Sequence, residues 1–266
     1  MRRRKLIRRS TILIALIVLS ACAGNGIEEK AITSQSLKTS NQWPAQNLDH
    51  LAEGSEIKVS GLQLMEQPLG LVELTTDAGR NDSVLIVAVH GYQSSGYEWI
   101  TGLKHLGAHY GSLYFYRYDW NRCPESIAEE LASLILNEKQ TAPYKRVILF
   151  GHSYGGVVVA QAASQIGAVR ADVHVIAAPL AGFQGLTDNC DELQYDEWSK
   201  SVNVLQHRTV KAQDGAFREL EDDPQEIDLP FHEVYTLPPT MDGHRLGHNW
   251  SVTWVLDQHV GRAHRL

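Results

Sequence analysis

One stretch constrains the fold of this chain more than any other: the sequence RVILFGHSYGGVVVAQAA, which occupies residues 146–163. Its apolar run at residues 147–150 is typical of a buried strand in a parallel sheet, and its second half has small and apolar residues at helical spacing. Between them the pattern G-x-S-x-G puts Ser153 on a very sharp turn, where its hydroxyl would project above the sheet. Gly151 and Gly155 lack the side chains that would collide across such a turn. The stretch therefore predicts a strand, a strained turn with a projecting serine hydroxyl, and a helix.

This order of strand, G-x-S-x-G and helix resembles the nucleophile elbow of the α/β-hydrolase fold, in its lipase and esterase branch. The resemblance extends from about residue 55 to the C-terminus. Buried strands predicted at residues 84–89, 113–118, 173–178 and 202–210 alternate with helical patterns, which favours an α/β fold with a mainly parallel sheet flanked by helices. In this fold an insertion such as residues 179–200 often forms a short lid; a plain surface excursion is the alternative.

The resemblance implies a catalytic triad in the chain order serine, acid, histidine, with Ser153 as the nucleophile. Asp214 follows the predicted strand at residues 202–210 and precedes a glycine, so we predict that it is the acid. Its rivals are Asp188, Asp191 and Asp242. His248 directly precedes a predicted helix, a position that the base commonly occupies in lipase-like relatives, and we predict it over His244.

The strand predicted at residues 84–89 ends in the sequence His90-Gly91-Tyr92. In the lipases and esterases that this chain resembles, a His-Gly pair at this place opens the oxyanion loop. The resemblance implies that backbone N–H groups of Tyr92, or alternatively Gln93, and of Tyr154 form the oxyanion hole. His90 itself precedes the serine and is predicted to be a structural hydrogen-bonding group.

Three further histidines are predicted to lie away from the reaction. His152 is the variable position of the elbow and would face away from the reaction in this fold. His174 lies within an apolar strand and is predicted to be a core histidine. His259 falls in the predicted closing helix and is expected at the surface.

The N-terminus combines a basic segment, an apolar run at residues 12–19 and the sequence Leu19-Ser20-Ala21-Cys22. This arrangement is typical of an exported protein, and the last four residues resemble the bacterial lipoprotein lipobox. The resemblance implies cleavage of a signal peptide at residues 1–21 and diacylation of Cys22, which would anchor the protein in a membrane of the bacterial cell envelope. In an organism with two membranes, it implies sorting to the outer one. An ordinary secretory signal, with Cys22 incidental, is the alternative.

Residues 22–54 are polar with little apolar periodicity, so we predict a flexible tether, followed by a single hydrolase domain at residues 55–266. Residues 55–73 contain glycine and proline between alternating apolar residues. This pattern predicts that the domain opens with two antiparallel strands.

The charge of the mature chain disfavours nucleic-acid binding. The full chain has 24 basic and 31 acidic residues, and the leader contains six of the basic ones, so the mature chain carries 18 − 31 = −13. No basic stripe remains after processing. No feature of the sequence predicts an obligate protein partner.

Apart from Cys22, the chain has two cysteines, Cys123 and Cys190. Neither has metal-ligand spacing, so no metal site is predicted. An even pair in an exported protein permits a disulfide, and each cysteine follows a predicted parallel strand, so both would lie at the same edge of the sheet. Two free thiols are the alternative.

The resemblance implies hydrolysis of a carboxylic ester, either a small molecule or a lipid, through an acyl-enzyme on Ser153 and without a cofactor. An acyltransferase with the same triad would have the same residues. A binding module that has kept the fold and lost activity belongs to a different class, and intact candidates for all three triad roles argue against it.

Overall fold

The structure is a computed structural model that describes residues 43–77, 83–142, 144–167, 169–182, 190 and 192–263. The predicted signal peptide, Cys22 and most of the predicted tether lie outside the described residues, as do Asp188 and Asp191. None of the helices in the described part of the chain is both long enough and apolar enough to span a bilayer.

Strands and helices alternate along most of the chain. In chain order they are β1 Ala45–Asn47, α1 Ile57–Met65, β2 Gly70–Thr75, β3 Val84–Val89, α2 Tyr97–Gly107, β4 Leu113–Arg117, α3 Pro124–Thr141, β5 Arg146–His152, α4 Tyr154–Gln165, β6 Ala171–Ile176, β7 Val202–Arg208, β8 Glu233–Thr236, β9 Thr240–Met241, β10 His244–Arg245 and α5 Trp250–Ala263.

Eight strands form one sheet in the order β1-β2-β4-β3-β5-β6-β7-β8. Only the β2–β4 pair is antiparallel, and every other neighbouring pair in this sheet is parallel. The prediction of a mainly parallel sheet flanked by helices is confirmed. Because parallel strands end at a common edge, the loops after β3, β5 and β7 lie at the same side of the domain.

Helices cover both faces of the sheet, which explains why its central strands are apolar on both sides. Leu85, Val87 and Val89 of β3 belong to the core shared with α3 and α4. Ile86 and Ala88, which alternate with them, belong to the core shared with α1, α2 and α5. The apolar run at residues 84–89 is therefore explained by burial on both faces of the sheet.

The start of the domain differs from the prediction of two antiparallel strands. Residues 57–65 form α1, and only β2 forms a strand in this region. The helix buries Ser60, Gly61 and Leu64, and a Cβ on Gly61 would lie 2.3 Å from the backbone nitrogen of Tyr97. This close approach to α2 is a contact between distant segments, so the local alternation of residues did not reveal it.

Some residues before position 55, the predicted start of the domain, also belong to the sheet and to the core. β1 pairs in parallel with β2. Leu48 and Leu51 are buried in the core shared with α1 and α2. At the other end of the domain, β9 and β10 form a two-stranded antiparallel hairpin.

The described part of the 179–200 insertion is held against α4. The Trp198 indole donates a hydrogen bond to the Ala160 carbonyl at 3.0 Å, and the Gln161 amide donates to the Gln194 carbonyl at 3.1 Å. Cys190 forms a disulfide with Cys123, and their Cα atoms are 5.5 Å apart. We call Cys190 and residues 192–200 the strap, because their contacts hold them against α4, the helix after Ser153. The lid hypothesis concerns residues 183–189 as well, and these lie outside the described residues.

Candidate active site

Ser153 occupies the turn between β5 and α4 in a backbone conformation that side chains rarely adopt. Its φ is 55° and its ψ is −123°. A Cβ on Gly151 would lie 2.3 Å from the Gly155 carbonyl oxygen, and a Cβ on Gly155 would lie 2.3 Å from the carbonyl oxygen of Val89. Only glycine fits at these two positions. The serine is partly exposed, so a ligand has access to its hydroxyl.

Asp214 and His248 are joined by a hydrogen bond, in which Nδ1 of the ring donates to Oδ2 of the carboxylate at 3.0 Å. The carboxylate is fully buried and also accepts bonds from the Thr209 hydroxyl at 2.5 Å and from the Ala216 N–H at 2.8 Å. Burial alone would raise the pKa of Asp214, but His248 and these two donors hold it below its usual value. In the neutral ring this bond places the proton on Nδ1, so the lone pair on Nε2 of His248 is free to accept a proton.

A hydrogen bond from the His152 ring fixes the backbone of His248. Nε2 of His152 donates to the His248 carbonyl at 3.0 Å, and the two ring centroids are 4.6 Å apart. Burial, followed by the charge of His248, lowers the pKa of His152 to about 3, so this ring stays neutral. The sequence analysis missed this contact, because the variable position of an elbow gives no signal of a partner 96 residues away.

Two of the other predicted histidines can also be compared with the structure. His174 is buried on β6, as predicted. His259 is half-buried rather than exposed, because its ring packs 5.2 Å from that of Phe150 and 5.3 Å from that of His174. The rival residues His244 and Asp242 are exposed in the hairpin of β9 and β10, and the bond to Asp214 favours His248 as the base.

Among the described residues, no hydrogen bond joins the Ser153 hydroxyl to the ring of His248. Catalytic hydrogen bonds are often long in ligand-free structures and tighten when the substrate binds. The two residues are nevertheless neighbours through His152, which precedes Ser153 in the chain and contacts the His248 ring.

The predicted oxyanion loop lies directly against the serine. A Cβ on Gly91 would lie 2.9 Å from Cβ and 3.4 Å from Oγ of Ser153. The peptide that carries the Tyr92 N–H is thus next to the Ser153 hydroxyl. Tyr154 begins α4 directly after Ser153, and its phenol donates to the Arg122 carbonyl at 2.8 Å. Of the two predicted donors, Tyr92 therefore lies near Ser153 in space, and Tyr154 follows it in the chain.

A cleft of about 400 Å³ opens beside His248. Its lining consists of Tyr97, Gly215, Ala216, Arg245, Gly247, His248, Asn249 and Trp250. Trp250, which lines this cleft, is 53% exposed, and Tyr92 on the predicted oxyanion loop is 49% exposed. This cleft gives a substrate group room next to the candidate base. No cluster of three potential metal ligands occurs among the residues that the structure describes.

Residues 86–255 match the model of the alpha/beta hydrolase family. The chain belongs to the alpha/beta hydrolase family. A search of curated proteins found no match.

Several solved structures resemble this alpha/beta hydrolase. Est1E from Butyrivibrio proteoclasticus with bound ferulic acid has 12% identity and a TM-score of 0.49, over 74% of this chain and 94% of Est1E. An alpha-beta serine hydrolase homologue from Coxiella burnetii has 14% identity and a TM-score of 0.46, over 73% and 90%. A lipase-esterase related protein from Clostridium acetobutylicum has 13% identity and a TM-score of 0.44, over 74% and 98%.

Proposed function

We propose that this protein is a serine hydrolase that cleaves carboxylic esters through an acyl-enzyme on Ser153. The observation that carries the proposal is the hydrogen bond between Asp214 and Nδ1 of His248, beside a serine in a strained elbow turn. A buried acid that fixes the tautomer of a histidine beside such a serine is the arrangement that activates a hydroxyl nucleophile. Family membership supports hydrolase chemistry in general.

In the proposed mechanism, Oγ of Ser153 attacks the ester carbonyl carbon while Nε2 of His248 takes the hydroxyl proton. The tetrahedral intermediate carries its negative charge on the former carbonyl oxygen, which accepts hydrogen bonds from the N–H groups of Tyr92 and Tyr154. His248 then donates its proton to the leaving oxygen, and the alcohol departs. Water attacks the acyl-enzyme with His248 as base, which releases the acid and regenerates Ser153. Asp214 stabilises the imidazolium at both stages.

We predict that Ser153→Ala abolishes ester hydrolysis and labelling by a fluorophosphonate probe, while the protein still folds. The residual rate should be lower by roughly 10⁴-fold or more. Esters of graded acyl-chain length would be tested in parallel, because they also separate a small-ester enzyme from a lipase. Ser133→Ala is the matched control, since Ser133 is exposed on α3. Near wild-type hydrolysis by Ser153→Ala would overturn the proposal, and a wild-type protein that resists the probe would indicate a binding module.

The proposed site of action is the bacterial cell envelope, with the enzyme anchored through a lipidated Cys22. The lipobox-like sequence at residues 19–22 supports this location, and so does the disulfide, since disulfides persist outside the cytosol. Two acyl chains suffice for stable anchoring. We expect wild-type protein to incorporate labelled palmitate and to sediment with membranes, and Cys22→Ser to do neither. Equal sedimentation of the two proteins would rule out the anchor.

A further inference from the structure

The peptide unit between Gly91 and Tyr92 determines where the Tyr92 N–H points. This unit is planar and trans, so the Gly91 carbonyl and the Tyr92 N–H point in opposite directions. Groups that hold the carbonyl therefore aim the N–H. Two groups bond to that carbonyl, the His90 ring and the Ser94 N–H. Each is held in turn by a buried residue, Arg117 or Glu98, to which the mechanism above gives no role.

His90 and Arg117 form the first pair. Nδ1 of His90 donates to the Gly91 carbonyl at 2.9 Å, and Nε2 accepts a bond from the Arg117 guanidinium at 3.0 Å. A guanidinium has only donors, so Nε2 must be unprotonated and the ring proton must sit on Nδ1. Burial chiefly lowers the pKa of His90 to about 3, and Arg117 adds to that effect, so the ring remains neutral. It also stacks on Tyr118, with centroids 4.3 Å apart.

Glu98 and Ser94 form the second pair. The Ser94 N–H donates to the same Gly91 carbonyl at 3.4 Å. The Ser94 hydroxyl donates to the Glu98 carboxylate and accepts a bond from the Gly96 N–H at 3.1 Å. Glu98 is 7% exposed on the first turn of α2, and its carboxylate is the acceptor for the Ser94 hydroxyl. It thereby ties the loop to a rigid helix.

The loop needs such contacts because its backbone is strained. Gln93 has a φ of 49°, a left-handed conformation that is costly for a residue with a side chain. Strained conformations persist only where the surrounding structure over-determines them. Here the bonds to the Gly91 carbonyl and the contact between Ser94 and Glu98 supply that constraint next to Tyr92.

We propose that His90, Arg117 and Glu98 are positioning residues that aim the Tyr92 N–H at the oxyanion. His90 bonds to the Gly91 carbonyl and is held by Arg117, and Glu98 holds Ser94, whose N–H bonds to the same carbonyl. The inference rests on the proposed function, because it concerns the same transition state. A donor that is displaced by about 1 Å loses most of its effect on a developing charge, while substrate binding in the ground state changes little. The three residues should therefore affect kcat far more than KM.

The experiment compares kcat, KM, thermal midpoint and the affinity for a boronic acid, which forms a tetrahedral adduct with an active-site serine. His90→Phe keeps the stacked ring and removes both nitrogens, and Glu98→Ala removes the acceptor of Ser94. We expect each to lower kcat about 10- to 100-fold, with KM within about twofold. Boronate affinity should fall in parallel with kcat. Glu98→Gln, which keeps an acceptor oxygen for Ser94, should retain most activity.

His174→Phe is the matched control, since His174 is another buried, ring-stacked histidine, on β6. It should lower the thermal midpoint without changing kcat or boronate affinity. If His90→Phe or Glu98→Ala lowers only the midpoint, the inference is overturned and the residues are merely structural. Should either variant fail to fold, Ser94→Ala decides, because it removes the hydroxyl that joins the loop to Glu98 at a partly exposed residue. Unchanged kcat and boronate affinity in Ser94→Ala would refute the inference. A wild-type protein without esterase activity would refute the proposed function instead.

Discussion

Asp214 illustrates how one buried carboxylate can be both ionised and oriented. Its two oxygens together accept bonds from a hydroxyl, a backbone N–H and the His248 ring. These bonds compensate the loss of solvation, which is why the pKa of Asp214 is lowered despite full burial. An acid held in this way selects the His248 tautomer with its proton on Nδ1.

Asp214→Asn should retain the fold and lose most of the activity. The amide can present its NH₂ group to Nδ1, which favours the tautomer with the proton on Nε2, where it can no longer accept the Ser153 proton. We expect kcat to fall by roughly 10⁴-fold, with a circular-dichroism spectrum like that of the wild type. Asp242→Asn, an exposed hairpin substitution, is the control and should be fully active. Activity within tenfold of wild type would remove Asp214 from the triad.

At the residue scale, the sequence indicated the site through local patterns and missed what depends on distant contacts. Ser153 was predicted because G-x-S-x-G between a strand and a helix is a local signature. The role of His152 under His248 was not, because the two residues are far apart in the chain. The same limit applies to the bonds that the Gly91 carbonyl accepts from the His90 ring and the Ser94 N–H, and to the bond from Arg117 that holds the His90 ring.

Elements buried on two faces were the easiest to predict. The strands β3 and β5 are continuous apolar runs, so their position follows from composition alone. The helix α1 was mistaken for a strand because two of its three buried residues, Ser60 and Gly61, are small rather than apolar. The buried side of α1 contains Gly61 because the helix approaches α2 closely at this residue. A small residue at this position weakens the apolar periodicity by which a helix is recognised in a sequence.

The disulfide between Cys123 and Cys190 connects two elements that are distant in the chain, the start of α3 and the strap on α4. It closes a loop with a sequence separation of 67 residues. The chain-entropy model assigns such a cross-link roughly 4 kcal/mol, through fewer conformations of the unfolded chain. Its main effect is therefore expected on stability.

We predict that replacing both cysteines by serine lowers the free energy of unfolding by roughly 4 kcal/mol in urea titrations. Wild-type protein treated with reductant should behave like the double variant, and the double variant should not respond to reductant. Two reactive thiols at residues 123 and 190 in denatured, unreduced protein would contradict the cross-link. Identical urea midpoints for the unreduced wild type and the double variant would also contradict it.

At the scale of the whole molecule, the parallel sheet explains why residues from distant parts of the sequence form one site. Gly91, Ser153 and Asp214 follow β3, β5 and β7, and all three strands end at the same edge. His248 is brought to this edge by the segment before α5. The order of strands and helices was readable from the sequence, so the general location of the site was predictable before its contacts were known.

Two buried histidines should make the stability of the whole domain sensitive to acid. Burial is the main reason that the pKa values of His90 and His152 fall from 6.5 to about 3. Between these values the unfolded chain binds protons that the folded domain does not. The free energy of unfolding contributed by each histidine is therefore fully present above pH 6.5 and is lost as the pH falls toward about 3.

The contribution of each histidine changes by about 1.4 kcal/mol per pH unit within this window. His152→Gln removes one titrating group and keeps an N–H that can reach the His248 carbonyl. We expect it to be less stable than wild type at pH 8, with a shallower decline in the free energy of unfolding between pH 6 and 4, measured by urea titration at each pH. His50→Gln, which changes an exposed histidine, should keep the wild-type slope. The free energy of unfolding of His152→Gln could instead decline with falling pH as steeply as that of the wild type. In that case His152 takes up a proton in the folded state, and its ring cannot remain the neutral support of His248.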